Sequence, residues 1–373
     1  MVDPAAVPDA DAAPAARAEA AADAVVRTFG GRALGLPGTH LARVQAPAPP
    51  AAGLRRLVPA GPWHYWWQAH YLEALLDRAE RLQAAGRARE AAAALRMSRR
   101  LARGIAVRNG LRWTNSFYDD MAWLALATHR LGALGGGAGT PRQLTAALVS
   151  AHTPELGGGL WWNRDRNYKN TAATGPAALH FARLGERRRA QELVDWLRGT
   201  LQDPKSGLFL DGIRIRGTEP ALDRAVYSYN QGPVLGALLE LGGSANLAAA
   251  ADLVEAVAVN LAGPDGVLRS HDGGDGGLFT GILARYLAAA AVDPRLPDGP
   301  RTAAADLLHA TADALWAGRG SLDGRPVFAR HAGRDTDAEQ PPGTAVGLST
   351  QLQAWLVFEA AARAAGGGIS RRP

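Results

Sequence analysis

The chain has 373 residues, of which 47% are hydrophobic and 20% charged, as in ordinary globular proteins with enough apolar residues for a large core. Its net charge is +6, but the arginines are scattered and Lys169 and Lys205 are the only lysines, so the basic stripe of a nucleic-acid-binding surface is missing. Cysteine is absent, which excludes disulfides and thiolate metal sites and suits a reducing compartment.

The N-terminal segment, residues 1–22, is rich in alanine, proline and aspartate, with neither a basic start nor an apolar core. It therefore predicts no signal peptide and no membrane span, and we expect a cytoplasmic protein, with export by a non-standard route as the open alternative. Residues 1–11 are expected to form a disordered tail.

Helical periodicity dominates the rest of the chain, and strand-like alternation is almost absent. The segments 33–62 and 318–342, rich in proline, glycine and arginine, are predicted to be long surface connections. The spacing of apolar residues predicts twelve helices: 12–29, 64–85, 87–107, 117–132, 141–151, 171–184, 187–201, 224–241, 244–261, 277–291, 301–316 and 343–365.

Twelve helices make six hairpins, which favour an all-α (α/α)6 barrel, a double ring of helices in one domain spanning residues 12–366. Glycine followed by an apolar or aromatic pair recurs between helices, at 159–161, 207–209 and 277–279, with a weaker copy at 266–268. We expect such loops to form a cleft at one end of the barrel. A solenoid of helix pairs is the alternative, but the copies have no fixed period to support it.

Two adjacent carboxylates, Asp119 and Asp120, lie in an aromatic-rich stretch that continues into a predicted helix. Buried carboxylates this close cannot easily both be charged, so one pKa should rise and the other stay lower, which provides an acid and a base at one pH. A capping box from Ser116 to Asp119 at the helix start is the alternative explanation. The aromatic neighbours favour a catalytic site.

Aromatic and amide side chains cluster at predicted loop-to-helix junctions, in residues 63–70, in 157–163 followed by 170–171, and in 227–233. Flat rings suit the C–H faces of sugars and amides suit their hydroxyls, so the clusters favour a sugar-binding cleft. Helix packing is the alternative for any single tryptophan, a helix cap for Asn170 and a turn for Asp211. We expect the substrate to be bound by Trp67, Gln68, Asn115, Tyr118, Trp123, Trp161, Trp162, Asn170, Asp211, Tyr229, Asn230 and Gln231.

No metal or cofactor site is predicted. The loop at 271–276, His-Asp-Gly-Gly-Asp-Gly, does not match a calcium loop and is interpreted as a glycine turn. The glycine run at 135–139 follows a helix and lacks the Lys-Ser/Thr of a phosphate-binding loop.

Several motifs together resemble glycoside hydrolase family 76: Tyr-Asp-Asp-Met-Ala-Trp at 118–123, the Gly-Gly-Leu-Trp-Trp loop ending at Trp162, Tyr-Asn-Gln-Gly at 229–232 and Gly-Gly-Leu-Phe-Thr-Gly-Ile at 276–282. The chain carries Thr280 where members of this family often have lysine. The family comprises α-1,6-mannanases and related enzymes with an (α/α)6 barrel, so the resemblance implies the same fold and a retaining hydrolase.

The resemblance also implies roles for the two acids. Asp119 is the expected nucleophile, and Asp120 is the expected general acid/base of hydrolysis through a glycosyl–enzyme intermediate. A position near a helix N-terminus favours the Asp119 anion, whose charge would keep Asp120 protonated. Trp123, one turn further on, is expected to wall the same pocket.

The implied substrate is a mannose-containing oligosaccharide, polysaccharide or glycolipid, with an α-1,6 linkage expected. Two alternatives stay open at this point. One is another sugar-active (α/α)6 enzyme, such as a lyase, an epimerase or a uronide hydrolase. The other is a noncatalytic glycan-binding barrel.

Overall fold

The computed structural model of the protein describes residues 12–47, 62–137, 139–216, 219–341 and 343–366. The predicted disordered tail, residues 1–11, lies outside the described residues. None of the helices in these ranges is long and apolar enough to cross a membrane.

Helices dominate the described part of the chain, and each of the twelve predicted helices is present with bounds within five residues of the prediction. A further helix of four residues, α12, was not predicted. The helices are α1 (Pro14–Phe29), α2 (Tyr65–Ala84), α3 (Ala88–Arg108), α4 (Tyr118–Ala133), α5 (Arg142–Ala151), α6 (Thr171–Arg183), α7 (Arg187–Thr200), α8 (Ser228–Leu241), α9 (Ser244–Asn260), α10 (Gly273–Ala291), α11 (Asp298–Ala317), α12 (Thr336–Glu339) and α13 (Leu348–Gly366).

The long helices form two concentric rings. Helices α2, α4, α6, α8, α10 and α13 each pack against the next, and α13 closes the inner ring against α2. Helices α3, α5, α7, α9 and α11 pack outside α2, α4, α6, α8 and α10 respectively, and α1 packs outside α13. The predicted all-α (α/α)6 barrel is therefore confirmed.

Burial explains which helices are inside. Every residue of α6 except Arg183 is buried, as expected for a helix surrounded by neighbours. Its outer partner α7 buries one stripe that contains Leu193, Val194 and Leu197, and its other face is polar. The sequences of α6 and α7 thus match their places in the inner and outer ring.

Short strands lie in the connections that lead into the inner helices. In the described residues they are β1 (Gly30–Gly31), β2 (Leu41–Ala42), β3 (Gln45–Ala46), β4 (Tyr168–Asn170), β5 (Gly212–Arg216), β6 (Glu219–Asp223), β7 (Gly320–Leu322), β8 (Arg325–Val327) and β9 (Val346–Gly347). All pairs are antiparallel, in four small sheets ordered β1-β2, β3-β9, β4-β5-β6 and β7-β8. These long connections cover the end of the barrel at which the inner helices begin.

Two predicted connections contain structure that the sequence did not indicate. Residues 33–62 include β2 and β3, and residues 318–342 include β7, β8 and α12. Pairing of β3 with β9 joins the first segment to the residues directly before α13, with Ala46 opposite Val346. A strand of two or three residues is too short to show a period of two, so sequence patterning cannot detect it.

The glycine recurrence marks tight loops at three of its four positions. Gly159, Gly207 and Gly266 adopt φ values of 71°, 73° and 75°, which favour glycine, in connections from an outer to an inner helix. Gly277 differs, because it lies inside α10. The prediction of a loop at that copy was wrong, and the helix begins four residues earlier than predicted.

Candidate active site

The inner helices begin at the end of the barrel that carries the long connections, and there they surround a cleft of about 600 Å³. Side chains from the first two turns of α2, α4, α8 and α10 line it, together with residues of β4 and β5. The lining residues are Trp63, His64, Tyr65, Trp66, Asn109, Asn115, Ser116, Phe117, Asp119, Asp120, Trp123, Trp162, Tyr168, Asn170, Asp211, Arg214, Tyr229, Asp275 and Phe279.

Asp119 and Asp120 occupy the first turn of α4 and have different hydrogen-bond partners. Trp162 Nε1 donates to Asp119 Oδ2 at 3.0 Å, while Asn115 Nδ2 donates to Asp120 Oδ2 at 2.5 Å. Asp119 Oδ1 is buried and has no hydrogen-bond partner among the described residues. One oxygen of Asp119 is thus held in place and the other is free.

The capping box considered from the sequence is absent. The residue before α4 is Phe117, and no side chain there caps the helix. The carboxyl groups of Asp119 and Asp120 are instead engaged by Trp162 and Asn115 in the cleft. Helix capping therefore does not explain the acid pair.

The two acids differ in their electrostatics. Burial, with a smaller contribution from the charge of Asp211, raises the pKa of Asp119 to about 6, against the lowering effect of nearby backbone N–H groups and of Trp162. Burial, followed by the negative charge of Asp119, raises the pKa of Asp120 well above its usual range. Near pH 7 the pair therefore combines a carboxylate with a neighbouring carboxylic acid.

Asp211 is a third acid of the cleft, half-buried and fixed through both oxygens. Tyr168 Oη donates to its Oδ2 at 2.5 Å and Asn230 Nδ2 to its Oδ1 at 2.9 Å. The Arg214 guanidinium lies 3.9 Å over the Tyr168 ring. Burial raises the pKa of Asp211 while these two donors lower it. The two hydrogen bonds hold the Asp211 carboxylate in the cleft, and a turn residue would not need them.

Aromatic rings line the cleft in two groups. Phe279 stacks on Tyr229 with 4.1 Å between ring centroids, and Trp66 lies 6.3 Å from Phe279. In the second group, Phe117 lies 5.2 Å from Trp162 and is 38% exposed. Such surfaces can cover the C–H faces of sugar rings while the acids reach the glycosidic bond.

Half of the predicted substrate-binding set lines this cleft beside Asp119 and Asp120: Asn115, Trp123, Trp162, Asn170, Asp211 and Tyr229. Asn170 also caps α6, because its Oδ1 accepts from the Ala173 N–H at 3.0 Å. The two interpretations of Asn170 that the sequence left open are therefore compatible.

Two amides of the predicted set, Gln68 and Gln231, do not line the cleft. Gln68 is fully buried and both donates to and accepts from the backbone of Ala42. Gln231 does the same with the backbone of Phe209. These amides are needed to satisfy backbone groups of the connections that pack on α2 and α8.

The remaining four, Trp67, Tyr118, Trp161 and Asn230, are also buried and absent from the lining. Trp67 and Asn230 donate to the cleft acids Asp275 and Asp211, so they support lining residues. Tyr118 and Trp161 pack in the hydrophobic core of the barrel. A helix or strand directs only some of its side chains into the cleft, and sequence proximity to a motif does not show which.

Eleven lining residues were not in the predicted set: Trp63, His64, Tyr65, Trp66, Asn109, Ser116, Phe117, Tyr168, Arg214, Asp275 and Phe279. Asp275 lay in the segment interpreted as a glycine turn, but α10 begins at Gly273 and places Asp275 in its first turn. Arg214 alternates with isoleucines in β5, a pattern of two that was available in the sequence. Asn109 and Tyr168 carry no local signal beyond being polar or aromatic near a predicted helix end.

A helical barrel whose cleft holds paired acids between aromatic walls is typical of enzymes that cleave carbohydrates. The sequence model of glycosyl hydrolase family 76 matches residues 16–363, and the chain belongs to this family. The protein is therefore a glycoside hydrolase, and the resemblance inferred from its motifs is confirmed.

Solved structures agree with the family. The α-1,6-mannanase of Salegentibacter sp. HEL1_6 is 29% identical, with a TM-score of 0.79 over 94% of this chain and 99% of that chain. An inactive variant of that enzyme, with two consecutive aspartates changed to asparagine and α-1,6-mannotriose bound, is 28% identical at the same TM-score and coverage.

The fold extends to more distant proteins. A family 76 mannosidase of Bacteroides thetaiotaomicron VPI-5482 is 18% identical, with a TM-score of 0.73 over 94% of this chain and 98% of that chain. At this identity the similarity concerns the fold alone. No curated protein sequence matches the chain.

Proposed function

We propose that the protein is a retaining glycoside hydrolase that cleaves α-1,6-mannosidic linkages, with Asp119 as the nucleophile and Asp120 as the general acid/base. The observation that carries the proposal is the chemical asymmetry of this pair. Asp119, with a pKa of about 6, is ionised near neutral pH, whereas the pKa of Asp120 is raised further by the Asp119 charge. Nucleophile and acid are thus available in the same protonation state of the enzyme.

In the first step, Asp119 Oδ1 attacks the anomeric carbon of the bound mannoside and the glycosidic C–O bond breaks. Asp120 gives its proton to the departing oxygen, which leaves as an alcohol, and a covalent mannosyl ester forms on Asp119. Trp162 holds Asp119 Oδ2 at 3.0 Å, so the oxygen without a partner is the one available for attack.

In the second step, the Asp120 carboxylate removes a proton from water as the water oxygen attacks the same carbon. The ester bond to Asp119 breaks, mannose leaves with its original anomeric configuration, and both acids return to their starting state. Formation of the ester removes the charge of Asp119. This lowers the pKa of Asp120 and suits its change from acid to base.

The choice of substrate rests on the relatives. The Salegentibacter enzyme is described as an α-1,6-mannanase, and its inactive variants, one of them with α-1,6-mannotetrose bound, lack two consecutive aspartates. In this chain Asp119 and Asp120 are the sole pair of consecutive aspartates. That agreement supports the same substrate linkage for this protein and the same importance of the two aspartates for activity.

The test measures hydrolysis of α-1,6-, α-1,2- and α-1,3-linked mannooligosaccharides by the purified protein. We expect the α-1,6 compounds to be cleaved fastest, with the α-anomer formed first by NMR. A 2-deoxy-2-fluoromannosyl fluoride should label one peptide, at Asp119. Initial formation of the β-anomer would contradict retention, and a label on another residue would contradict the role of Asp119.

A further inference from the structure

Asp275 is an acid of the cleft to which neither the family motifs nor the proposed mechanism assign a role. It lies in the first turn of α10 and lines the cleft. Its Oδ1 accepts a hydrogen bond from Trp67 Nε1 at 3.0 Å, and the Trp67 ring is itself stacked on His64 at 4.2 Å. No residue in the described ranges bonds to the other oxygen of Asp275. One side of this carboxylate is anchored and the other is available.

The cleft acids divide into two groups. The charge of Asp211 acts on Asp119, whereas the charge of Asp275 acts on Asp120. In a retaining hydrolase the acid/base meets the oxygen that joins the two sugars. Asp275 is held in the cleft lining by Trp67 and is close enough to Asp120 for its charge to act on that acid, so its position suits contact with the departing sugar.

The surroundings of Asp275 fit a sugar ring. Phe279 follows one turn later on the same face of α10 and also lines the cleft. Trp66 lies 6.3 Å from Phe279 and completes an apolar surface beside the carboxylate. A hydroxyl acceptor next to flat aromatic rings is the combination that binds a pyranose.

We propose that Asp275 forms the subsite for the departing sugar, binding one of its hydroxyls through the free carboxylate oxygen. This inference rests on the proposed function, in which Asp120 protonates the leaving group. Asp275 also acts on Asp120 through space, since its negative charge opposes loss of the Asp120 proton. It is thus a specificity residue for the departing sugar and a positioning residue for the proton.

The test compares Asp275→Asn with the parent enzyme on two substrates, an α-1,6-mannooligosaccharide and α-mannosyl fluoride. The fluoride has no departing sugar. We expect kcat/KM for the oligosaccharide to fall about tenfold to a hundredfold, the effect of losing a hydrogen bond to a charged group. For the fluoride it should change less than about threefold. The basic limb of the oligosaccharide pH profile should move to lower pH, because Asp120 then loses its proton more easily.

Asp272→Asn is the matched control, because Asp272 precedes the same helix, is exposed and does not line the cleft. It should leave both substrates unaffected. Trp67→Phe removes the N–H that anchors Asp275 and should give a smaller loss, again for the oligosaccharide alone. This second variant decides the matter if Asp275→Asn does not fold.

Equal losses on both substrates, or none on the oligosaccharide, would overturn the inference about Asp275. The parent enzyme distinguishes this outcome from failure of the proposed function. If the parent cleaves neither mannoside, the proposed function fails. If the parent is active and the variants show no selective loss, only the departing-sugar subsite fails.

Discussion

At the scale of single residues, the cleft makes two identical side chains unequal. Asp119 and Asp120 are adjacent in the chain, but Asp119 is bonded by an indole N–H and Asp120 by an amide N–H. Burial raises both pKa values, and the charge of Asp119 raises that of Asp120 further. Environment, not residue type, gives each acid its role.

Replacing either acid should abolish or greatly reduce activity without unfolding the protein. Asp119→Asn should show no turnover, because an amide cannot form the glycosyl ester. Asp120→Asn should lose about 10²–10⁴-fold on oligosaccharides and less on substrates with an activated leaving group. Asp119→Asn should keep or raise the Tm at pH 7, because the neutral amide removes the cost of an ionised acid in a desolvated site. Asp120→Asn should leave the Tm nearly unchanged, because a neutral amide replaces a neutral carboxylic acid. An active variant with a lowered Tm would show that the pair serves only the helix start.

The acidic limb of the pH profile should lie near pH 6. Asp119 must be ionised to attack, so kcat/KM falls as the pH drops below its pKa of about 6. The hydrogen bond from Trp162 lowers this pKa, so Trp162→Phe should move the limb to higher pH. An acidic limb near the ordinary aspartate value of about 3.9 would contradict burial as the cause. The measurement is kcat/KM on an activated mannoside from pH 4 to 8.

At the scale of elements, strand β4 directs side chains both into the cleft and into the protein interior. Side chains alternate along a strand, so Tyr168 and Asn170 line the cleft while Lys169 points to the opposite side. Lys169 is fully buried. Its Nζ donates to three backbone carbonyls of the preceding connection, those of Thr153, Glu155 and Gly158, at 2.7, 2.6 and 2.7 Å. One buried ammonium thus organises the loop beneath the cleft wall.

Lys169→Met should destabilise the protein by roughly 3 kcal/mol or more, because three buried carbonyls lose a charged donor. Lys205→Met is the matched control, since Lys205 is the other lysine of the chain and is exposed. The control should leave the Tm unchanged. Thermal unfolding of both variants measures the difference, and equal Tm values would refute a structural role for Lys169.

At the scale of the whole molecule, ion pairs help to close the ring between its first and last helices. Arg81 on α2 contacts Glu359 on α13 through two hydrogen bonds of 2.7 and 3.0 Å, and Glu19 on α1 at 2.8 Å. The Glu359 side chain is only 3% exposed. The pairs therefore join the first outer helix to both inner helices at the closure.

Arg81→Met should cost about 3–5 kcal/mol, because it leaves Glu359 buried without its charged partner. Arg87→Met is the control, since Arg87 pairs with Glu90 on the surface. Exposed pairs contribute little, so this variant should keep the parent Tm. Similar Tm values for the two variants would show that ring closure does not depend on the buried pair.

The sequence by itself determined the twelve long helices, the barrel and the location of the acid pair. Amphipathic and apolar periods are local properties of 10 to 20 residues, so a reader of the chain can detect them. The capping of α6 by Asn170 was predictable for the same reason, because a helix cap involves only the next three residues.

The tertiary structure alone decided which side chains reach the cleft. Gln68 and Gln231 were expected there, yet their amides satisfy the backbone of connections that are distant in sequence. Asp275 was interpreted as part of a turn, yet the ring brings it to the cleft that contains Asp120. The burial of a side chain, the effect of one charge on another and the side of a strand that meets the cleft depend on residues from other helices. The hydrophobic period of one segment therefore does not predict them.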